Sequence, residues 1–362
     1  MALAVLKGHK MHVVFLSLSK CGTYFVSGAF DGTARTWEAE SGKLITIIHK
    51  PPVMGSLVTI SPDGTFIVSS TDDWALCAWD AKAGEAIMLY KRHEGEIRAV
   101  SIAPDGTYFA SAAWDHTVRT WSVQSGKALK VLRHPHEKVE AVAFSPDGAV
   151  LVSGTLAMDG TMRIWDPRSA EVLAAVDGHL GGVDRISFSN DGSMIMSKSA
   201  DGKVYLWDAK SSKRHATMQV ADGIISTAAF SPDELSVVTG AQDGRIHRWE
   251  AKSAAMLLCM HGHAAVVWSL AYAPDGTVLA SASYDFTIRL WTAETGIPLA
   301  ILRGHTNAVT SLAFSSDGSR LVSGSWDMTV RMWDSSYRGL EDVAPRAMPV
   351  AKRKRRASGR NA

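Results

Sequence analysis

Serine, histidine and aspartate recur together in this chain at fixed spacings. His9, Ser27 and Asp31 make one set. His93, Ser111 and Asp115; His179, Ser197 and Asp201; His263, Ser281 and Asp285; and His305, Ser323 and Asp327 make four more. In a cleft beside an oxyanion hole these residue types perform nucleophilic acyl transfer, with histidine taking the serine proton and aspartate holding the imidazole. Five copies at one offset argue against that reading, because a catalytic constellation is needed only once. Each aspartate also stands six residues before a tryptophan: Trp37, Trp121, Trp207, Trp291 and Trp333. A buried indole N–H must find an acceptor, and leaving it unpaired costs about 1–3 kcal/mol. A structural Trp–Ser–His–Asp hydrogen-bond chain therefore explains the pattern better than catalysis.

The elements that must hold such chains are repeats. With Trp79, Trp165 and Trp249, eight tryptophans are spaced 42, 42, 44, 42, 42, 42 and 42 residues apart, each preceded at six residues by an aspartate. The longer interval comes from two extra residues in Thr155-Leu156-Ala157-Met158. Within a unit, Val309-Thr310-Ser311-Leu312-Ala313-Phe314 alternates as a half-buried strand does. Ser315-Ser316-Asp317-Gly318 is a turn, with Arg320–Gly324 and Thr329–Trp333 as further strands and Leu299–Leu302 as the weaker fourth. Four short antiparallel strands repeating at this period make a propeller blade.

The motifs resemble the WD-repeat (β-transducin repeat) family. Trp-Asp stands at Trp79-Asp80, Trp165-Asp166, Trp207-Asp208 and Trp333-Asp334, and Gly-His at Gly8-His9, Gly178-His179, Gly262-His263 and Gly304-His305. Arg92-His93 is a close variant. The resemblance covers residues 3–334 and implies a closed all-β propeller of four-stranded blades. It also implies that Leu3-Ala4-Val5-Leu6 supplies the outer strand of the last blade. Eight copies then give eight blades; seven, the commoner number in the family, is the alternative. Three units depart from the motif: His49-Lys50-Pro51-Pro52 in the second, His134-Pro135-His136 in the fourth, and Val220-Ala221-Asp222-Gly223 in the sixth. Their polar chains are expected to be incomplete and their blades softer.

Function in a propeller sits where repeats differ, because the shared residues hold the ring. The position before each structural aspartate reads Phe30, Asp72, Trp114, Met158, Ala200, Gln242, Tyr284 and Trp326. In a closed ring the seventh, eighth and first blades are neighbours, so Tyr284, Trp326 and Phe30 form one aromatic arc. A second variable position at the start of the innermost strand reads Val14, Ser56, Arg98, Glu140, Asp184, Ser226, Trp268 and Thr310. Trp268 joins the aromatic arc, while Arg98, Glu140 and Asp184 form a charged arc opposite, with Glu96, Lys138 and Arg185 nearby. Aromatic residues and arginine are enriched at binding hot spots. Phe30, Trp114, Tyr284, Trp326, Trp268, Arg98, Glu140 and Asp184 are thus the candidate partner-binding residues. Arg35, Arg119, Arg163, Arg289 and Arg331, two residues before their tryptophans, read as surface arginines whose stems pack on the sheet.

Bulk properties fit a binding protein. The 362 residues are 46% hydrophobic and 20% charged, with no apolar run long enough to span a membrane as a helix. Cys21, Cys77 and Cys259 share no metal-ligand or redox spacing. The N-terminus carries no signal-peptide pattern, so a reduced, intracellular protein is expected. Of the net charge of +2, residues 341–362 supply seven Lys/Arg against two acids, or +5, leaving −3 for the rest. Polyanion binding, including nucleic acid, therefore belongs to the tail and not to the ring. Residues 337–362 are expected to be a disordered tail beyond a propeller of residues 1–336. In it, Lys352-Arg353-Lys354-Arg355-Arg356 matches a nuclear-localisation run and Ser358 follows basic residues as a phosphorylation site would. The resulting reading is a monomeric, non-catalytic scaffold or adaptor for proteins or peptides, cytoplasmic or nuclear, with no metal or cofactor. The alternative is a propeller enzyme using Glu140, Asp184 and Arg98 at the channel mouth.

Overall fold

A computed structural model describes residues 2–49, 57–71, 73–156, 160–220 and 223–335. Every regular element in it is a strand, and the strands form eight four-stranded antiparallel sheets. Blade 1 runs outward from the axis through Val13–Leu18, Tyr24–Ala29, Thr33–Glu38 and Leu44–His49. Six further blades repeat that order. Blade 8 holds Val309–Phe314, Arg320–Ser325 and Val330–Asp334, and its outer strand is Ala2–Leu6, with Ala4 opposite Met332 and Leu6 opposite Val330. Eight blades and closure by the N-terminal strand are both as the sequence implied. Pairing the first strand with the last removes the free edge that an open array would expose.

Buried side chains collect between blades. Leu6, Val322, Val330 and Met332 of blade 8 pack with Val13, Phe25, Ala29 and Trp37 of blade 1. Equivalent clusters occupy the junction of blades 1 and 2 and each junction after it. Each tryptophan thus seals a seam with the preceding blade, so the ring is held by eight separate interfaces. The seams are tight: a Cβ on Gly154 or Gly240 would lie 2.7 or 2.6 Å from Val183 or Val267 of the next blade.

Two sets of connections share one face of the disc. The loop entering blade 1 bonds back to its middle turn, Phe30 N–H donating to the His12 carbonyl at 3.1 Å and Lys10 N–H to Asp31 at 2.7 Å. Blade 8 repeats this, with Trp326 N–H on the Ala308 carbonyl at 2.9 Å and Thr306 N–H on Asp327 at 3.1 Å. Both variable positions open onto this face.

Candidate functional site

The recurring Ser–His–Asp sets are structural. In blade 8, Trp333 Nε1–H donates to Ser323 Oγ at 2.8 Å, Ser323 lies 2.8 Å from His305 Nε2, and His305 Nδ1 lies 2.7 Å from Asp327. An imidazole donating from Nδ1 to a carboxylate accepts the serine proton at Nε2, so the chain closes with each group satisfied. Blades 3 and 7 repeat it through Trp121, Ser111, His93 and Asp115 and through Trp291, Ser281, His263 and Asp285. Blade 1 does so more loosely, with His9 Nδ1 at 3.3 Å from Asp31. Burial raises the Asp115 pKa, but hydrogen bonds from His93 and Thr117 outweigh it and bring the pKa down to about 2. Ser27, Ser111, Ser197, Ser281 and Ser323 are each 0% exposed, so no substrate carbonyl reaches their hydroxyls.

The structure corrects the expected set in blade 5. Trp207, Ser197 and His179 are linked at 2.7 Å each, but His179 Nδ1 is buried without a hydrogen-bond partner. Asp201 instead accepts the Tyr205 hydroxyl at 2.8 Å. Tyr205 occupies the position where five other blades carry arginine, and its ring packs 4.1 Å from the imidazole. Burial pushes His179 down to about 4, so it stays neutral. Blade 4 departs in the other direction. His134 lies 2.8 Å from Ser153, which accepts Trp165 Nε1–H at 2.7 Å. Arg163, bound to Glu137 at 2.8 Å, stands against His134 Nδ1. The shifted histidine thus rebuilds the chain with a different third partner, while Asp159 lies outside the described residues. Among the described residues, blades 2 and 6 retain only the Trp79–Ser69 and Trp249–Thr239 links of the chain, at 2.9 and 2.8 Å.

One member of the network escaped sequence reasoning. Thr33, Thr117, Thr287 and Thr329 each donate a backbone N–H and a hydroxyl to the carboxylate two residues earlier. The recurring Asp-x-Thr was the available signal. The arginines before the tryptophans pack on the entry loops: a Cβ on Gly8 or Gly304 would meet the Arg35 or Arg331 guanidinium at 2.5 or 2.6 Å.

The channel mouth depends on a backbone device. In blades 1 and 3–8 the register between the innermost strand and its neighbour slips by one residue near the mouth, and the residue left over is Val14, Arg98, Glu140, Asp184, Ser226, Trp268 or Thr310. A β-bulge re-aims the extra side chain and leaves the rest of the ladder intact. All of these except Ser226 line one axial cavity of about 510 Å³. Ser226 donates to the Gly240 and Val267 carbonyls.

The two arcs differ in what they bring together. Trp268 lies 6.3 Å from Tyr284 between ring centroids, and Tyr284 lies 5.1 Å from Trp326. Trp326 and Phe30 are joined through His12, which is 5.1 and 6.4 Å from them and donates from Nδ1 to the Trp326 carbonyl at 2.6 Å. His12 was the missing link in the sequence reading. Trp114 sits in the charged arc: its indole donates to Glu140 at 2.9 Å, with Lys138 and Arg98 over its ring at 4.4 and 5.1 Å. Arg98 pairs with Glu96 at 2.8 Å and Glu140 at 2.9 Å, and Lys198 with Asp184 at 2.6 Å. The carboxylates named for the enzyme alternative are therefore engaged by cations. Asp72, Met158, Ser56, Lys352–Arg356 and Ser358 lie outside the described residues, and no group of His, Cys, Asp and Glu suited to a metal ion occurs among the described ones. No helix there is long and apolar enough to cross a membrane.

Among solved structures, the crystal structure of the computationally designed Ika8 protein is similar over 92% of this chain and 99% of that one, with a TM-score of 0.80 and 26% identity. No curated protein gives a significant match. The family model "WD domain, G-beta repeat" matches residues 2–38, 43–80, 84–122, 126–166, 170–208, 213–250, 255–292 and 296–334, one stretch per tryptophan, and with eight such repeats closed into eight blades the chain belongs to the WD40 family.

Proposed function

We propose that this propeller is a non-catalytic docking scaffold that receives a peptide or protein segment at the channel mouth over blades 7, 8 and 1. WD40 propellers commonly serve as protein-interaction scaffolds. The observation that carries the reading is the continuous ring stack Trp268–Tyr284–Trp326–His12–Phe30, placed on a face otherwise built of polar turns. These rings stay half-buried or exposed at the channel mouth and are of the residue types enriched at binding hot spots. The test is an affinity capture with mass spectrometry on wild type and a Tyr284→Ala/Trp326→Ala variant. Partners lost from a variant that melts normally support the site. Identical partner sets assign the rings a structural role only.

A further inference from the structure

Charge and exposure around the ring stack specify the occupant more closely than the aromatics do. On the same face of blades 3–5, Arg98, Arg163 and Lys198 are paired with carboxylates, while Lys138 lies over the Trp114 ring and Arg185 has no carboxylate partner among the described residues. The loops leading into blades 8 and 1, Arg303-Gly304-His305-Thr306-Asn307 and Lys7-Gly8-His9-Lys10-Met11-His12, contain no acidic residue. Their Arg303, Lys7 and Lys10 side chains are exposed, and none forms an ion pair with the described residues. The carboxylates in the adjoining turns, Asp31, Asp285 and Asp327, are already held by their own threonine and by His9, His263 and His305.

Between these cations stands exposed apolar surface. Met11, Phe286, Met328 and Trp268 are 47, 43, 42 and 37% exposed. Phe286 and Met328 have φ of 69° and 68°, the left-handed conformation that Trp74 and His116 adopt at the same turn position in blades 2 and 3 and for which blades 1, 4, 5 and 6 use Gly32, Gly160, Gly202 and Gly244. A side chain there costs about 1–2 kcal/mol, and one left this exposed recovers little of it within the fold.

The geometry points to a protein segment in which aromatic or large aliphatic anchors alternate with aspartate or glutamate. Its anchors meet Trp268, Phe286, Trp326 and Met328, and its carboxylates meet Arg303, Lys7 and Lys10. This inference rests on the docking reading and adds the chemistry of the partner. Nucleic acid is also anionic and stacks on rings, but the thioether and aliphatic surface of Met11 and Met328 suits side chains better than sugar and phosphate.

Fluorescence anisotropy with the full chain tests it, using equal-length peptides with the same Phe and Leu anchors and spacers of Asp/Glu, Ser/Gly or Lys/Arg, and an oligothymidylate as a further probe. The expected result is acidic-peptide binding about tenfold tighter than neutral. The preference should disappear in added salt and in a Lys7→Gln/Lys10→Gln/Arg303→Gln variant whose melting is unchanged. Equal binding of acidic and neutral peptides, abolished by Trp326→Ala, overturns the acidic partner and leaves the docking site standing. Tighter binding of the oligothymidylate overturns it in favour of nucleic acid. Failure of every peptide to bind, or binding indifferent to Trp326→Ala, overturns both the acidic partner and the docking reading.

Discussion

On blades 3–5 the bulge residues Arg98, Glu140 and Asp184 are engaged with neighbouring charges, whereas on blades 7, 8 and 1 the same backbone positions hold Trp268, Thr310 and Val14 beside a ring stack with unpaired cations around it. One backbone device thus serves two ends. Charges that satisfy one another make a wall, since a partner gains little from contacts it must first break. Apolar groups and unpaired cations in water make a surface that gains from being covered.

Acid should separate the two regions most strongly. Burial, with Arg163 beside it, holds His134 at about 3 in the folded ring, against an ordinary value of 6.5. The unfolded chain therefore takes up the proton first. The stability contribution is complete above pH 6.5 and is lost as the pH falls towards 3, on the order of 2 kcal/mol by pH 5. His179, at about 4, acts in the same sense. Amide protection factors, taken relative to intrinsic exchange at each pH, should fall in blades 4 and 5 between pH 7 and 5, and His134→Gln should flatten the dependence. A uniform fall in protection round the ring would show that acid acts elsewhere.

Next in size is Glu140→Ala. It strips Arg98 and the Trp114 indole of a shared acceptor and should lower stability by about 1–3 kcal/mol, seen as a reduced melting temperature with docking on blades 7, 8 and 1 unchanged. Loss of docking without loss of stability would reverse the roles of the two arcs. The smallest effect has the opposite sign. Phe286→Gly relieves a left-handed backbone and should raise stability by about 0.5–1 kcal/mol while weakening peptide binding. A destabilised variant would mean that the ring packs for the fold.

Features that recur were legible in the sequence. The tryptophan spacing and the aspartate six residues earlier follow from one unit written eight times, and the family resemblance those residues carry implied the eight blades and the closing strand; the tetrads of blades 1, 3, 7 and 8 were legible in the same repeats. Features that arise from a single substitution were not. Tyr205 captures Asp201 because its hydroxyl reaches where arginine does not, and His134 finds Ser153 from a displaced loop position; neither departs from ordinary composition. The bulge was invisible because it changes pairing rather than residue type, although its consequence, variability at one position per repeat, was read as a site. His12 was passed over because it stands at neither of the two variable positions compared between repeats.

The Ala2–Leu6 strand has a consequence for synthesis. It leaves the ribosome before the other strands of the propeller, and its ladder partner, Val330–Asp334, follows all of them. Until then an apolar strand waits with an unpaired edge while the intervening blades fold in turn, a kind of exposure that promotes association between nascent chains. The latch that makes the finished ring edgeless therefore leaves its own edge waiting until the last strand of blade 8 has emerged.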